Sequence, residues 1–329
     1  MLKSSIVITG ATGYIGSQLL LGLLSRFSAE VNCRVIVRKS SDCSFFKGLP
    51  VEVVNADLLD PLALNEAFKG AETVFHCAGL IAYTKSFRHA LYDVNVLGTR
   101  NVVNASLYNG VRRLVMTSSI AAIGASEDGS PASESTTFKE WQRRNGYMEA
   151  KHLAELEGLR GVAEGLEVVM LNPGVVIGID RENMASVSSS NKLLKLIYQG
   201  YLPLSPLGST GFVDVRDVAE AHLVAWKQGR SGERYIIVGH NLSFRELFDR
   251  IGRSGDRGIG HTIMMPEALG LLAGLGGECW SLVLNRPSFI SQESMRTSTK
   301  HLAYCNTRSV QELTLRYREL PETFKTITA

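Results

Sequence analysis

Residues 5–16 read SIVITGATGYIG, a short β-branched run that passes straight into a glycine turn. Ser5–Thr9 is nearly continuous in apolar side chains, which suits a strand covered on both faces. Gly10 and Gly13 let the backbone turn tightly and approach a pyrophosphate closely. The helix that follows, Tyr14–Phe27, offers unpaired N–H groups and the positive end of its dipole to phosphates. Gly16 permits close packing of helix against strand. The spacing is GxxGxxG, and a glycine triplet alone is an ordinary turn. Its place directly after a strand, at the head of a βαβ unit, turns the reading toward a dinucleotide.

The same alternation continues outward. Cys33–Val37, Val51–Val54, Thr73–Cys77, Arg113–Ser118 and Glu167–Asn172 read as further strands. Leu62–Phe68, Phe87–Tyr108 and Tyr147–Glu164 read as helices between them. Strand and helix alternating in this way imply right-handed crossovers and an α/β fold with a doubly wound parallel sheet. Ligands of such sheets sit beyond the carboxyl ends of the strands. After Asn172 the pattern loosens. Gly178–Gly211 is polar and reads as a mobile flap or substrate loop, Phe212–Trp226 as a helix and Tyr235–Val238 as a strand. From Gly239 to Ala329 helical pieces dominate. The expected division is 1–177 with 212–238 for the dinucleotide, and 178–211 with 239–329 as a smaller, mostly helical C-terminal substrate lobe. Pro266–Leu284 is the most apolar late stretch. Glu267, Glu278 and four internal glycines count against a transmembrane segment, so a buried helix of the second lobe is expected in preference to contact with a membrane surface.

Composition narrows the function classes. The 329 residues are 45% hydrophobic and 20% charged, which excludes a disordered chain. The 35 basic and 32 acidic residues leave a net charge of +3 with no basic stripe, so no nucleic-acid partner is expected. Five cysteines include no CxxC pair and no His/Cys group at metal spacing; neither a disulfide scaffold nor a metal site is expected. The first residues run directly into a strand, and a reducing, cytoplasmic setting is expected.

Residues following the other strands extend the reading. Arg38, with Lys39 beside it, ends the second strand where an NAD-preferring site usually places a carboxylate. A planar guanidinium there suits a ribose 2′-phosphate, so NADP(H) is expected in preference to NAD(H). Asp57 and Leu58 follow the third strand, where a carboxylate reaches an adenine amino group. Cys77-Ala78-Gly79 makes a small-residue turn after the fourth. Thr117-Ser118-Ser119 ends the fifth strand, and Tyr147 and Lys151 follow at helical spacing i, i+4, on one helix face. Free tyrosine titrates near 10, and a neighbouring ammonium favours the phenolate. With a serine hydroxyl at the adjacent strand end, these groups make a proton-transfer site for hydride chemistry.

The chain resembles the extended short-chain dehydrogenase/reductase superfamily, through TGATGYIG (9–16), Asp57-Leu58, HCAG (76–79), NVLGT (95–99), TSS (117–119), YMEAK (147–151), NPG (172–174) and FVDVRDVAEAH (212–222). VFHCAG, VRRLVMTSSIAAIG and GERYIIVG are most similar to its dihydroflavonol 4-reductase and 3β-hydroxysteroid dehydrogenase branches. The resemblance implies a Rossmann fold, with Tyr147 as general acid/base, Lys151 as ribose ligand and modulator of the tyrosine, and Ser119 rather than Ser118 as the catalytic serine. It places Pro173, Gly174 and Val175 beside the nicotinamide. Gly10, Gly13, Tyr14, Ile15, Arg38, Asp57, Leu58, Ala78, Gly79 and Thr117 line the rest of the cofactor. Asn95 helps hold the site, and a homodimer forms through the Phe87–Tyr108 and Tyr147–Glu164 helices. Three positions depart from relatives' patterns. Ala150 replaces the usual serine before the lysine. Gly124 stands where plant dihydroflavonol reductases carry a substrate-selecting asparagine. Ser209-Thr210-Gly211 stands where nucleotide-sugar epimerases usually carry a diphosphate-binding arginine.

His76 and His152 read as structural, Glu149 as solvent-facing, and the dispersed Trp141, Trp226 and Trp280 as core. The leading expectation is reversible reduction of a ketone or aldehyde on a small to medium apolar substrate. A nucleotide-sugar epimerase or dehydratase with retained nicotinamide, or a non-catalytic cofactor-sensing protein of the same fold, are the alternatives. Substrate determinants are expected in Leu80–His89, Ala125–Asn145 and Gly178–Gly211.

Overall fold

The computed structural model describes residues 3–126, 128–178, 190–253, 262–288 and 290–328. The chain begins β1 Ser4–Thr9, α1 Tyr14–Phe27, β2 Val31–Val37, β3 Val51–Asn55, α2 Pro61–Ala67, β4 Thr73–His76, α3 Arg88–Leu91, α4 Gly98–Tyr108. Next come β5 Arg113–Thr117, α5 Glu140–Arg143, α6 Gly146–Ala163, β6 Glu167–Pro173, β7 Val175–Ile177, α7 Ser190–Tyr198, β8 Leu204–Ser205, β9 Ser209–Asp214, α8 Val215–Gln228. It ends β10 Arg234–Ile237, β11 His240–Ser243, α9 Phe244–Arg253, β12 Ile263–Met264, α10 Glu267–Leu284, α11 Gln292–Ser298, α12 Thr307–Glu312, α13 Leu320–Thr328.

Seven strands form one parallel sheet in the order β10-β6-β5-β4-β1-β2-β3. This is the doubly wound Rossmann order, and its direction reverses between β1 and β4. Ile6, Val7 and Ile8 are fully buried because β1 lies mid-sheet with helices on both faces. Leu19, Leu20 and Leu23 of α1 pack with Val218, Leu223 and Trp226 of α8 on one face. Leu64 and Ala67 of α2 and Val102 and Val103 of α4 cover the other. Local chemistry sets the ends of these helices. The Asp60 carboxylate accepts from the Leu62 and Ala63 N–H groups ahead of Pro61 in α2.

A second sheet has the order β11-β9-β7, with β7 parallel and β11 antiparallel to β9. It shares a core with α7, α9 and α13 through Ile177, Leu194, Phe212, Leu247, Phe248 and Phe324. Phe212–Asp214, expected as the start of a helix, therefore ends a strand, and the helix begins at Val215. Pairing with β7 overrides the helical pattern there. Of the expected flap, residues 179–189 lie outside the described residues, while Ser190–Tyr198 is helical.

Phe87–Tyr108 is not one regular helix. It passes through α3 and a π-helical turn, Tyr92–Leu97, before α4. A larger departure concerns Pro266–Leu284. Of α10 only 17% is buried, and Trp280 is 65% exposed. Glycines, not leucines, face its neighbours, so the helix lies on the protein rather than in its core. Trp226, by contrast, is core.

Candidate active site

Parallel register aligns the carboxyl ends of the sheet strands. Thr9 lies opposite Ile36 and His76, and His76 opposite Met116; Thr117 then lies opposite Leu171. The segments that follow, beginning at Gly10, Arg38, Ala78, Ser118 and Gly174, consequently emerge along one edge.

The glycine turn fits a phosphate group. Gly10 has φ +74°, a left-handed conformation natural only to glycine, and a Cβ there would stand 2.5 Å from the Ala78 nitrogen. A Cβ on Gly16 would stand 2.3 Å from the Gly10 carbonyl oxygen, so this glycine seats α1 on the turn itself. No side chain caps the first turn of α1 and no acidic residue lies in it. The positive helix end is left open to an anion. Tyr14 donates from its hydroxyl to the Gly178 carbonyl, tying the turn to the segment after β7. Arg38 and Lys39 are exposed beyond β2, and the Arg38 guanidinium has no hydrogen bond or ion pair among the described residues. Asp57 is exposed and accepts from the Leu59 N–H at 2.9 Å, while the Leu58 carbonyl accepts from Asn101 at 2.8 Å.

Opposite this cradle, α6 presents the proton-transfer groups. Asn145 caps it, accepting from the N–H groups of Tyr147 and Met148 at 3.1 and 3.2 Å. Tyr147 is buried, with the Ser119 side chain near its phenol and the Ser119 Oγ accepting from the Ala121 N–H at 3.1 Å. Burial raises the phenol pKa, and the Ser119 contact opposes that rise. Lys151, also buried, donates from Nζ to the Thr117 carbonyl at 3.1 Å. Burial pushes this ammonium down to about 8, with Glu155 and Cys77 opposing. The Lys151 Nζ is thus turned to the end of β5. The Ser118 hydroxyl is buried and without a hydrogen-bond partner among the described residues.

The π-helical turn sets the floor of the site. Its buried Asn95 accepts from the Leu80 N–H at 2.8 Å and donates to the Leu80 carbonyl at 2.9 Å. A Cβ on Gly79 would lie 3.1 Å from Asn95 Oδ1 and 3.4 Å from Lys151 Nζ, so a glycine leaves room between them. On the other side, Gly174 admits the Gly211 carbonyl, which would stand 2.5 Å from a Cβ there. Leu80, Tyr83, Phe87, Phe138 and Trp141 pack around Tyr147, with the Tyr83 ring edge-on at 5.5 Å.

The NAD dependent epimerase/dehydratase family model matches residues 6–238. The chain belongs to that family. As a family member it is 31% identical over 313 residues, 94% of this chain and 89% of the other, to a putative dihydroflavonol 4-reductase of Synechocystis sp.. It is 32% identical over 269 residues to cinnamoyl-CoA reductase 1 of Oryza sativa subsp. japonica, covering 75% of this chain and 77% of that one. The crystal structure of gox2253 superposes with a TM-score of 0.83 at 28% identity, covering 99% of this chain and 97% of that one. Reductases among the relatives, and the family itself, make this an enzyme of the nicotinamide-dependent epimerase, dehydratase and reductase group.

Several residues of this family member's site escaped the sequence reading. Glu155 is 2% exposed and accepts from Asn172 at 2.6 Å; its other oxygen pairs with Arg234 at 3.1 Å. The signal was present: Glu155 continues the Tyr147, Lys151 spacing by another four residues. His222 Nε2 lies 2.7 Å from the Thr117 hydroxyl. His76 sits between the hydroxyls of Thr9 and Thr99 at 2.8 and 3.1 Å, a packed strand residue. His152 stacks on Phe138 with ring centroids 4.1 Å apart, and Glu149 pairs with Arg88. Among the described residues no group of three metal-ligating side chains occurs.

Proposed function

We propose that this protein is an NADP(H)-dependent oxidoreductase that reduces a ketone or aldehyde, reversibly, on a small to medium apolar substrate. What supports this reading is that buried Tyr147 on α6 and Ser119, just past the end of β5, lie at the same edge of the sheet, where a phenol and a hydroxyl would serve one substrate oxygen. The nicotinamide nucleotide supplies the hydride when bound. Tyr147 gives its proton to the substrate oxygen as charge develops there, and the Ser119 hydroxyl hydrogen-bonds the same oxygen. Lys151, beside Gly79 and Thr117, stands ready to hold a ribose hydroxyl. Gly10, Gly13, Tyr14 and Ile15 cradle the phosphates. Asp57, Leu58, Ala78 and Gly79 line the adenosine half, and Pro173, Gly174 and Val175 border the nicotinamide. Arg38, exposed beyond β2, takes the 2′-phosphate. The aromatic surround of Tyr147 favours an apolar substrate.

Residues 1–177 with 212–238 form the dinucleotide-binding domain in this reading, and the remainder the substrate lobe. Exposed Leu156 and Leu159 of α6 and Tyr92 support a homodimer through these helices. The five free cysteines suit a reducing cytoplasm.

The test is Tyr147→Phe, which removes the phenolic hydroxyl and keeps the ring. Single-turnover NADPH oxidation should slow by ~10²–10⁴-fold while nucleotide affinity holds. A variant that turned over at the parent rate would overturn the mechanism. Conversion of a sugar nucleotide without net use of NADPH would overturn the reductase reading in favour of an epimerase.

A further inference from the structure

Helix α10 is built inside out. Its protein-facing stripe is Gly270, Gly274, Gly277 and Ser281, and the large side chains point away. A Cβ on Gly274 would stand 2.7 Å from the Gln292 nitrogen, and one on Gly277 would stand 2.0 Å from the Ile290 carbonyl oxygen. The helix is thus seated directly on backbone. Its outer surface carries Leu269, Leu272, Leu275, Trp280, Leu282 and Val283, between 45% and 79% exposed. Water is a poor medium for such a surface, since each side chain buried from it gains ~1.5–3 kcal/mol.

We propose that this face of α10 docks on a lipid bilayer, lying in the interface rather than crossing it. Four observations favour lipid over a second protein. At 3.6 residues per turn these exposed apolar positions sweep about 160° of the helix, wider than the ~100° stripe one packed partner covers. Charge is absent from that arc: Glu267 lies in the first turn, and Glu278 is turned inward, accepting from the Gln292 N–H at 3.2 Å. Ile263 and Met264, 61% and 45% exposed, extend the apolar surface before the helix begins. Cations border it, with Arg286 exposed just past its end and Arg245 Nη1 3.7 Å from Met264 Sδ. An apolar face rimmed by arginine suits an anionic bilayer surface. The 18-residue helix is ~27 Å long, enough to span hydrocarbon, yet its glycine face is locked against residues 290–292.

The docking helix is joined to the proton-transfer site. The Ser281 hydroxyl lies 3.3 Å from the Thr84 hydroxyl, and Ser291 donates to the Tyr83 carbonyl at 2.5 Å. Tyr83 is the residue whose ring meets Tyr147. If the reductase reading holds, an apolar substrate dissolved in the bilayer has a short way to the site, but docking itself does not depend on that reading.

Flotation of the purified chain with vesicles of phosphatidylcholine, with and without phosphatidylglycerol, tests the proposal. The protein should float with both and more strongly with the anionic vesicles. Its tryptophan emission should shift blue, and Trp280→Phe should lose that shift. Leu272→Glu, Leu275→Glu and Val283→Glu together should weaken partitioning about a hundredfold, with unchanged nucleotide affinity showing that the variant folds. Leu272→Glu alone should weaken it about tenfold, and Leu62→Glu, exposed on α2, should leave it unchanged. A parent protein that stays in the aqueous fraction, or a triple variant that floats like the parent, would overturn the proposal. So would a parent dimer that the triple variant splits, which would assign the face to a second copy.

Discussion

Glu155 and Asn172 meet at 2.6 Å, buried carboxylate oxygen to side-chain amide nitrogen, and the same amide donates to the Ser119 carbonyl at 2.9 Å. The carboxylate of α6 thereby holds the strand end that carries the serine, one turn beyond the lysine whose ammonium it favours. Removing it reaches both groups. Glu155→Gln keeps an acceptor for Asn172 but loses the charge, so Lys151 should give up its proton at lower pH. The alkaline limb of the turnover profile should move down while kcat at neutral pH changes little. Glu155→Ala also frees Asn172 and should cost about 2–3 kcal/mol of stability. Its kcat should fall at least about tenfold, with nucleotide affinity retained. A Glu155→Gln profile superimposable on the parent's would leave Glu155 a purely structural residue.

Among the described residues nothing engages the Arg38 guanidinium at the end of β2. Arg38→Ala should weaken NADPH binding ~10–100-fold, the loss of one charge-assisted contact worth ~1.5–3 kcal/mol. NADH binding should change little. Fluorescence titration with both nucleotides reads this directly, and equal affinities in the parent would assign Arg38 to the surface.

Two histidines bind the edge of the sheet together while staying neutral. Burial holds His76 down to about 3 and His222 down to about 4. Both folded values lie below the unfolded value of 6.5, so the unfolded chain binds more protons as acid is added. Stability should therefore be constant above pH 6.5, fall as pH drops below it, and level off beneath the folded values. At pH 5 each histidine should cost about 2 kcal/mol. Urea midpoints at pH 7 and pH 5 measure the sum, and His222→Gln should remove about half of the difference. Equal midpoints at the two pH values would contradict it.

Two glycines of α1 should respond oppositely to alanine. At Gly16 the new Cβ would meet the Gly10 carbonyl at 2.3 Å, so Gly16→Ala should cost ~1–3 kcal/mol and weaken nucleotide binding. At Gly22 the nearest atom is Leu223 Cδ1 at 3.4 Å, and alanine gains up to about 1 kcal/mol of helix propensity. Gly22→Ala should be neutral or stabilising, with unchanged nucleotide affinity. Thermal melts with and without NADPH separate the two. A Gly16→Ala variant as stable and as tight as the parent would show that the turn yields.

Much of this fold was legible because its strands are short, apolar and evenly spaced by helices. Tyr14–Phe27 occupies the span its periodicity marked. The other main-sheet strands lie within two residues of their expected ends. The order of glycine turn, strand-end serine and YxxxK also lies in the sequence, because each motif is local. What sequence could not carry was partnership across the chain. Phe212–Asp214 became a strand because β7 and β11 pair with it. Asn95 entered the site through a π-helical turn, where one extra residue per turn aims its amide at Leu80. Lys151 found its acceptor, the Thr117 carbonyl, on another element.

The sequence by itself determined the layered sheet and the edge at which chemistry occurs, since alternating periodicity and glycine placement specify both without reference to distant residues. Tertiary structure alone decided which side of an apolar segment is inside. In α10 the apolar composition reads as core, whereas the glycines are the groups small enough to touch residues 290–292. Close backbone contact chose the glycine face, and the leucines were left outside.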